Sequence, residues 1–266
     1  MRNTIILLLF FTSIILSSCA STTFYQIYKA VPDEEIIERD NYLVYEDENC
    51  EVLYDLWDEN GNIGFTFYNK TDETIFLNLE ESFFLQNGIA YDYFKNRIYT
   101  VSKSAGVSVS GSSFNSISMT ANKVANAISS EESVSFTEKQ IVRIPSNSAK
   151  IIAEYNINEA LIRDCDLLKY PKREKDIITL EFEKSGSPIV FSNRLVYYVE
   201  YPMNPITVEN EFYVSEITNY PKDMLVKSAY EEFCGEKSSM STYQMKYFSP
   251  SHFYLIYKKD ITGMKH

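Results

Sequence analysis

The sequence predicts an all-β protein, an antiparallel β-sandwich of the Ig-like or a related kind. Three observations carry this. Apolar residues alternate with polar ones in short runs, as in Val52, Tyr54 and Leu56 or Ile63, Phe65 and Phe67, the period-two pattern of a strand with one buried face. The runs are closely spaced and broken by turn-forming clusters, among them Asp58-Glu59-Asn60-Gly61-Asn62 and Asn87-Gly88, which suits antiparallel hairpins. Strand-favouring aromatics are abundant, with 21 Tyr and 17 Phe against one Trp. A low-GC genome also enriches Phe and Tyr through its codons, so this abundance does not by itself argue for a binding role.

The first segment stands outside that fold. Arg2 precedes an apolar run from Ile5 to Leu16, broken only by Thr12 and Ser13, and small residues follow. This is the layout of a secretory signal, and the run is shorter than the ~20 residues that span a bilayer. Leu16-Ser17-Ser18-Cys19 resembles a bacterial lipobox, in which the cysteine thiol is diacylated and the signal is cut before it. Residues 1–18 are then a lipoprotein signal peptide, Cys19 the lipidation site and 19–23 a lipidated tether. A plain secretory signal with an incidental cysteine is the alternative. An uncleaved membrane helix fits less well, because Ser17 and Ser18 end the run. Each buried CH₂ contributes ~0.8 kcal/mol, so two or three acyl chains hold firmly where one binds reversibly.

The sandwich is expected over 24–258, with 259–266 as a C-terminal tail and a subdivision near residue 158 left open. Phe24–Val31 and Tyr42–Asp47 read as the first strands. The runs about Val52 and Phe65 form a hairpin, Ile75–Leu79 follows, and Phe83–Gln86 with Ile89–Tyr93 form a second hairpin. Its Asn87-Gly88 turn suits type I′, which needs two positive φ angles. Residues 102–135 then hold twelve Ser and few large apolar groups, too little to offset ordering entropy. Residues 95–137 are therefore expected to be a flexible Ser-rich insertion, with a weak helical turn near 121–128.

Strands resume at Lys139–Ile144 and Ala149–Ile157, the second at an edge or strand start because it follows Ile144-Pro145. Asn158–Leu168 reads as a short helix carrying Ala160, Leu161, Asp164 and Leu168 on one side, and 169–175 as a basic, solvated loop. Ile178–Phe182, Leu195–Tyr201 and Ile206–Val214 alternate as strands. Lys222–Phe233 has helical spacing at Val226, Ala229, Tyr230 and Phe233, with Gly235 as its C-terminal cap. His252–Tyr257 is the last strand.

Composition narrows the chemistry. The net charge is −12, and one unit more negative without Arg2, which argues against nucleic acid and against electrostatic docking on anionic lipid. Cys50, Cys165 and Cys234 remain after Cys19. In an oxidising compartment one disulfide among them would leave one thiol over. Two histidines, His252 and His266, cannot make a three-histidine zinc site. No Gly-x-Ser-x-Gly elbow, phosphate-binding glycine loop or dinucleotide fingerprint occurs. Asp58–Asn62 begins like a calcium loop but carries Gly at the fourth place rather than the sixth and no Glu at the twelfth, so it reads as a turn. No catalytic residue, metal or cofactor is expected.

The run from Cys19 to Lys29, Val44–Asp47, Gly64–Thr71, Ser82–Tyr91, Ser192–Arg194 and Asn210–Pro221 together resemble a family of uncharacterised lipoproteins of low-GC, anaerobic Gram-negative bacteria. The likeness covers most of the chain outside the Ser-rich stretch. The family has no assigned activity, so the resemblance implies envelope location and an all-β fold and carries over no catalytic residue. Lipoprotein sorting in such bacteria reads acidic residues after the lipidated cysteine as an export signal. Ala20, Ser21, Thr22 and Thr23 are not acidic, which points to the periplasmic face of the outer membrane.

The leading functional expectation is a non-enzymatic envelope lipoprotein with a structural or protein-interaction role, its partners the bilayer through acylated Cys19 and an envelope protein. A glycan- or peptide-binding module is the alternative, and would gather exposed Tyr side chains or Trp57 in a concave site. A hydrolase is the third reading. Cys19→Ala should abolish membrane association and leave the β-fold intact. Fractionation of cells expressing the variant tests this, and a variant that still needs detergent for release refutes the anchor.

Overall fold

The computed structural model describes residues 22–103 and 132–259, and side-chain environments over 22–99 and 137–259. The signal segment, Cys19 and the expected helical turn near 121–128 lie outside them. Numbered along the chain, the strands begin with β1 (Thr23–Pro32), β2 (Ile36–Arg39), β3 (Tyr42–Glu46), β4 (Cys50–Tyr54), β5 (Phe65–Asn69), β6 (Ile75–Gln86) and β7 (Ile89–Asp92). Next come β8 (Ile98–Lys103), β9 (Glu132–Thr137), β10 (Ile141–Ile144), β11 (Ala149–Ile152) and β12 (Thr179–Glu181). Then follow β13 (Val190–Tyr198), β14 (Ile206–Pro221), β15 (Val226–Phe233), β16 (Glu236–Met245) and β17 (His252–Lys258). A short helix, α1 (Lys222–Leu225), links β14 to β15.

The fold is an antiparallel β-sandwich. Its larger sheet runs β10-β6-β13-β14-β1-β17, with β7 also on β6 and β12 also on β14. The smaller sheet runs β11-β5-β4-β3-β2. Strands from either side of residue 158 interleave in the larger sheet. The expected alternation sets the inner faces: Val52 and Tyr54 on β4 and Phe65 and Phe67 on β5 join one buried cluster with Tyr197 on β13 and Phe212 and Val214 on β14. Rings meet edge to face between the sheets, Tyr54 with Phe212 at 5.3 Å and Phe67 with Tyr197 at 5.4 Å, a favoured quadrupole geometry. Asn87 and Gly88 both have positive φ, 48° and 81°, as the type I′ turn requires.

Buried Tyr and Asn side chains tie the layers together. Tyr54 donates to Asn210 Oδ1 at 2.8 Å, Tyr93 to Asn193 Oδ1 at 2.6 Å and Tyr197 to Asp47 Oδ2 at 2.7 Å. Asn193 in turn donates to the Ile63 carbonyl at 3.0 Å. Among the described residues no buried side-chain nitrogen or oxygen lacks a partner, as burial of polar groups demands.

Two expectations are corrected. Residues 158–168 are not helical; they form an extended strap across the inner face of the β14-β1-β17 end. Gln26 explains why: its amide accepts from Ile162 N at 2.9 Å and donates to Ile162 O at 3.0 Å, and Asn219 Nδ2 reaches Leu168 O at 3.1 Å. Side chains of the sheet thus satisfy backbone groups that a helix would have bonded internally. In 222–233 only the first four residues are helical, and 226–233 pair as β15 with β16. The excursion expected over 95–137 leaves and returns through a two-stranded ribbon, in which β8 pairs with β9 from Ile98↔Thr137 to Lys103↔Glu132. Its root is clamped by Arg97, whose guanidinium meets both Glu138 and Glu154.

All three cysteines in the described region are free thiols; Cys50 is buried, Cys165 and Cys234 are exposed. Tyr54→Phe should cost about 1–3 kcal/mol, because it leaves the buried Asn210 oxygen without its donor. Urea unfolding with an unchanged m-value measures this, with Tyr243→Phe at an exposed strand position as a control expected to change nothing. A loss below the error of the method would show that the Tyr54–Asn210 bond does not hold the layers.

Candidate functional site

The outer face of the larger sheet carries a cavity of about 300 Å³. Its floor follows from strand register. Across β12, β14, β1 and β17 one row reads Thr179, Thr218, Ile27 and Tyr254, and the next reads Glu181, Glu216, Lys29 and His252. The residues between these rows, Tyr28, Ile217 and Phe253, are fully buried on the inner face, so strand alternation turns both rows outward.

The polar floor groups are already paired. Lys29 and Glu216 form an ion pair, and the Thr179 and Thr218 hydroxyls lie 2.7 Å apart. His252 Nδ1 is 3.2 Å from Ser251 Oγ. Burial pushes the His252 imidazole below its ordinary value, the Lys29 ammonium pushes the same way, and Glu216 opposes them. The imidazole is therefore held towards its neutral form.

Aromatic and aliphatic side chains wall the cavity: Trp57, Tyr220, Leu225, Tyr247 and Phe248. Trp57 is fixed from two sides, 5.2 Å from the Tyr254 ring and 6.0 Å edge-to-face from Phe248. The backbone beside it is tied down, with Leu56 N bonded to Pro250 O at 3.0 Å and Tyr254 N to Asp58 O at 3.2 Å. Asp58–Asn62 is thus a packed turn. Gly61 has φ of +73°, and a Cβ there would sit 2.8 Å from the Phe253 ring.

Above this cavity stands a projecting arm. Among the described residues strands β15 and β16 pair only with each other, through a two-residue turn in which Cys234 and Gly235 both have positive φ. Tyr230, Phe233, Met240 and Tyr243 on the arm are exposed, Phe233 at 82 %. The root is held by Lys246, whose backbone N–H reaches Leu225 O at 2.7 Å and whose Nζ reaches Asp223 O at 2.9 Å. Lys222 Nζ lies 3.8 Å from the centre of the Tyr243 ring, a cation–π distance.

A wider depression, of about 930 Å³, opens between the sheet edges at β10 and β11. Its charged lining residues are Arg97, Lys139, Arg143, Lys150, Glu138 and Glu154; Arg97 pairs with both glutamates and closes the ribbon root. Among the described residues no three His, Cys, Asp or Glu side chains stand close enough to hold a metal ion. No helix there is long and apolar enough to cross a membrane.

Of the residues singled out from sequence, Trp57 and His252 come together in this cavity. Cys19 lies outside the described residues. The 169–175 loop is mostly exposed, with Arg173 paired to Asp176 at 2.9 Å. Lys29, Glu216, Thr218 and the arm were not legible in advance; the outward registers of β1 and β14 were available, but nothing marked them as a floor. The whole is an antiparallel sandwich bearing a side-chain-lined cavity beneath an isolated hairpin. No protein-family model, curated protein or solved structure matches this chain.

The electrostatics can be tested through His252. Its depressed folded value means that its contribution to stability is full above the unfolded value of about 6.5 and is lost as pH falls through the folded one. Proton NMR titration should place His252 below the ordinary imidazole value of about 6.5. Lys29→Met should raise the His252 value and Glu216→Gln should lower it further; a Lys29→Met variant with no shift would remove Lys29 from its surroundings.

Proposed function

We propose that this chain is a lipid-anchored lipoprotein of the bacterial outer membrane, facing the periplasm, that works without catalysis by docking an envelope protein through the β15–β16 arm. The anchor rests on the lipobox reading of Leu16–Cys19 and on the resemblance to anaerobe lipoproteins. The non-acidic Ala20–Thr23 stretch supports the outer membrane.

One observation carries the interaction reading. A two-stranded hairpin standing alone is marginally stable in water, yet among the described residues no other strand pairs with this one and its large apolar side chains are bare. Unpaired edges and apolar patches of this kind are interaction surfaces, or else liabilities. A partner strand or groove would cover Phe233 and Met240 and pair an edge of the arm. The acidic chain argues that the partner is not nucleic acid.

The test is a photo-crosslinking amino acid placed at Phe233 or Tyr243 of the full-length protein in cells, with Ile37 on the β2 edge as a body control. The expected result is one discrete adduct from the arm positions and none from Ile37. Absence of an arm adduct, or the same adducts from all three positions, would overturn the docking role.

A further inference from the structure

We propose that the cavity beneath the arm binds a neutral sugar residue, stacking its C–H face on the Trp57–Phe248 wall and taking its hydroxyls on Lys29, Glu216, Thr218 and His252. This site is separate from the arm's exposed tip and independent of the anchor.

Ligand chemistry follows from what the floor offers and withholds. It is the face of a sheet, so the backbone groups of β12, β14, β1 and β17 are bonded to one another. An extended peptide finds no free strand edge there and could be read only through side chains. An anionic ligand would compete with Glu216 for Lys29, and a cationic one would compete with Lys29 for Glu216. A divalent ion would find one carboxylate among the lining residues. A purely apolar chain would cover the ion pair and the threonines without replacing their water, and unmet burial of polar groups is costly.

What remains is a ligand that is uncharged, rich in hydroxyls and apolar on one face. Each polar floor group has spare capacity for it. A carboxylate accepts at two oxygens, an ammonium donates three protons, and a hydroxyl does both; the existing pairs use only part of this. Aromatic faces carry negative quadrupole density and attract the polarised C–H bonds of a sugar ring. At about 300 Å³ the cavity is at the small end of ligand sites, which suits one ring rather than a long oligosaccharide.

The chain contains one Trp, and it is in the wall, so its fluorescence reports on this site alone. The experiment titrates full-length protein in detergent with the methyl glycosides of glucose, galactose, mannose and N-acetylglucosamine, following Trp57 emission and the His252 NMR signal together. At least one sugar should give a saturable change in both signals in the millimolar range. Glu216→Gln should weaken that binding by about tenfold with an unchanged melting temperature. Should Glu216→Gln not fold, Phe248→Ala at the exposed rim should weaken it instead. No saturable response to any of the four sugars overturns the proposal. So does an equal response from glycerol, or one that the folded variants retain in full. Loss of the arm crosslinks would leave these outcomes unchanged, so the two proposals fail separately.

Discussion

A tyrosine buried for its ring must still bring its hydroxyl to a partner, and this sandwich is built around that requirement. The rings of Tyr54, Tyr93 and Tyr197 fill the space between the sheets, and each hydroxyl reaches a group fixed elsewhere in the fold: Asn210, Asn193 and Asp47. Burial pushes all three phenols above their ordinary range, so they stay protonated and remain donors. The apolar faces bring the sheets together without direction. The Tyr54–Asn210 and Tyr197–Asp47 bonds fix how one sheet lies over the other, because a one-residue slip of a strand would turn its Tyr or Asn to the wrong face.

The same rule accounts for the far end of the larger sheet. Gln26 and Asn219 are buried there and must be satisfied. They are met by the backbone of the 158–168 strap, which is thereby held extended. With its inner face closed by the strap, this end of the sheet is backed on one side and free on the other. The outward rows of Lys29, Glu216 and Thr218 are consequently mounted on a stiff floor. The Trp57 turn, itself anchored to β17, supplies one wall, and the arm's root supplies another.

Much of this was legible in the sequence, and the lapses have physical causes. Period-two alternation located β4, β5 and the first half of β6 because those stretches bury one face more deeply than the other; read from sequence, β6 was split in two, with Phe83–Gln86 placed in a separate hairpin. Asn87-Gly88 marked its hairpin because few other pairs tolerate two positive φ angles. The 158–168 segment misled because its apolar spacing is set by what it covers, and the groups that hold it, Gln26 and Asn219, lie far away in the chain. The arm misled more instructively. Val226, Ala229, Tyr230 and Phe233 fit a helix, and Gly235 fits a helix cap; yet a glycine with positive φ also closes a two-residue hairpin turn, with Cys234 before it. Thr242 and Tyr243 beyond it favour a strand and were the available signal. The cavity was half visible: Trp57 was marked, but its companions come from four strands whose adjacency no local pattern encodes.

The clamp at the root of the β8–β9 ribbon bears on how this protein can change over generations. The chain departs at Lys95–Arg97 and returns at Glu138, where both backbone N–H groups and the Arg97 side chain meet one carboxylate. Because the two ends are joined at that point, the body's stability is decoupled from the number of residues carried beyond it. Doubling a flexible loop adds only about 0.6 kcal/mol of closure cost. Insertions and deletions between the ribbon's strands are therefore close to neutral for folding, while changes at Arg97 or Glu138 are not. Descendants of this sequence should vary freely in length there and keep the ion pair that closes it.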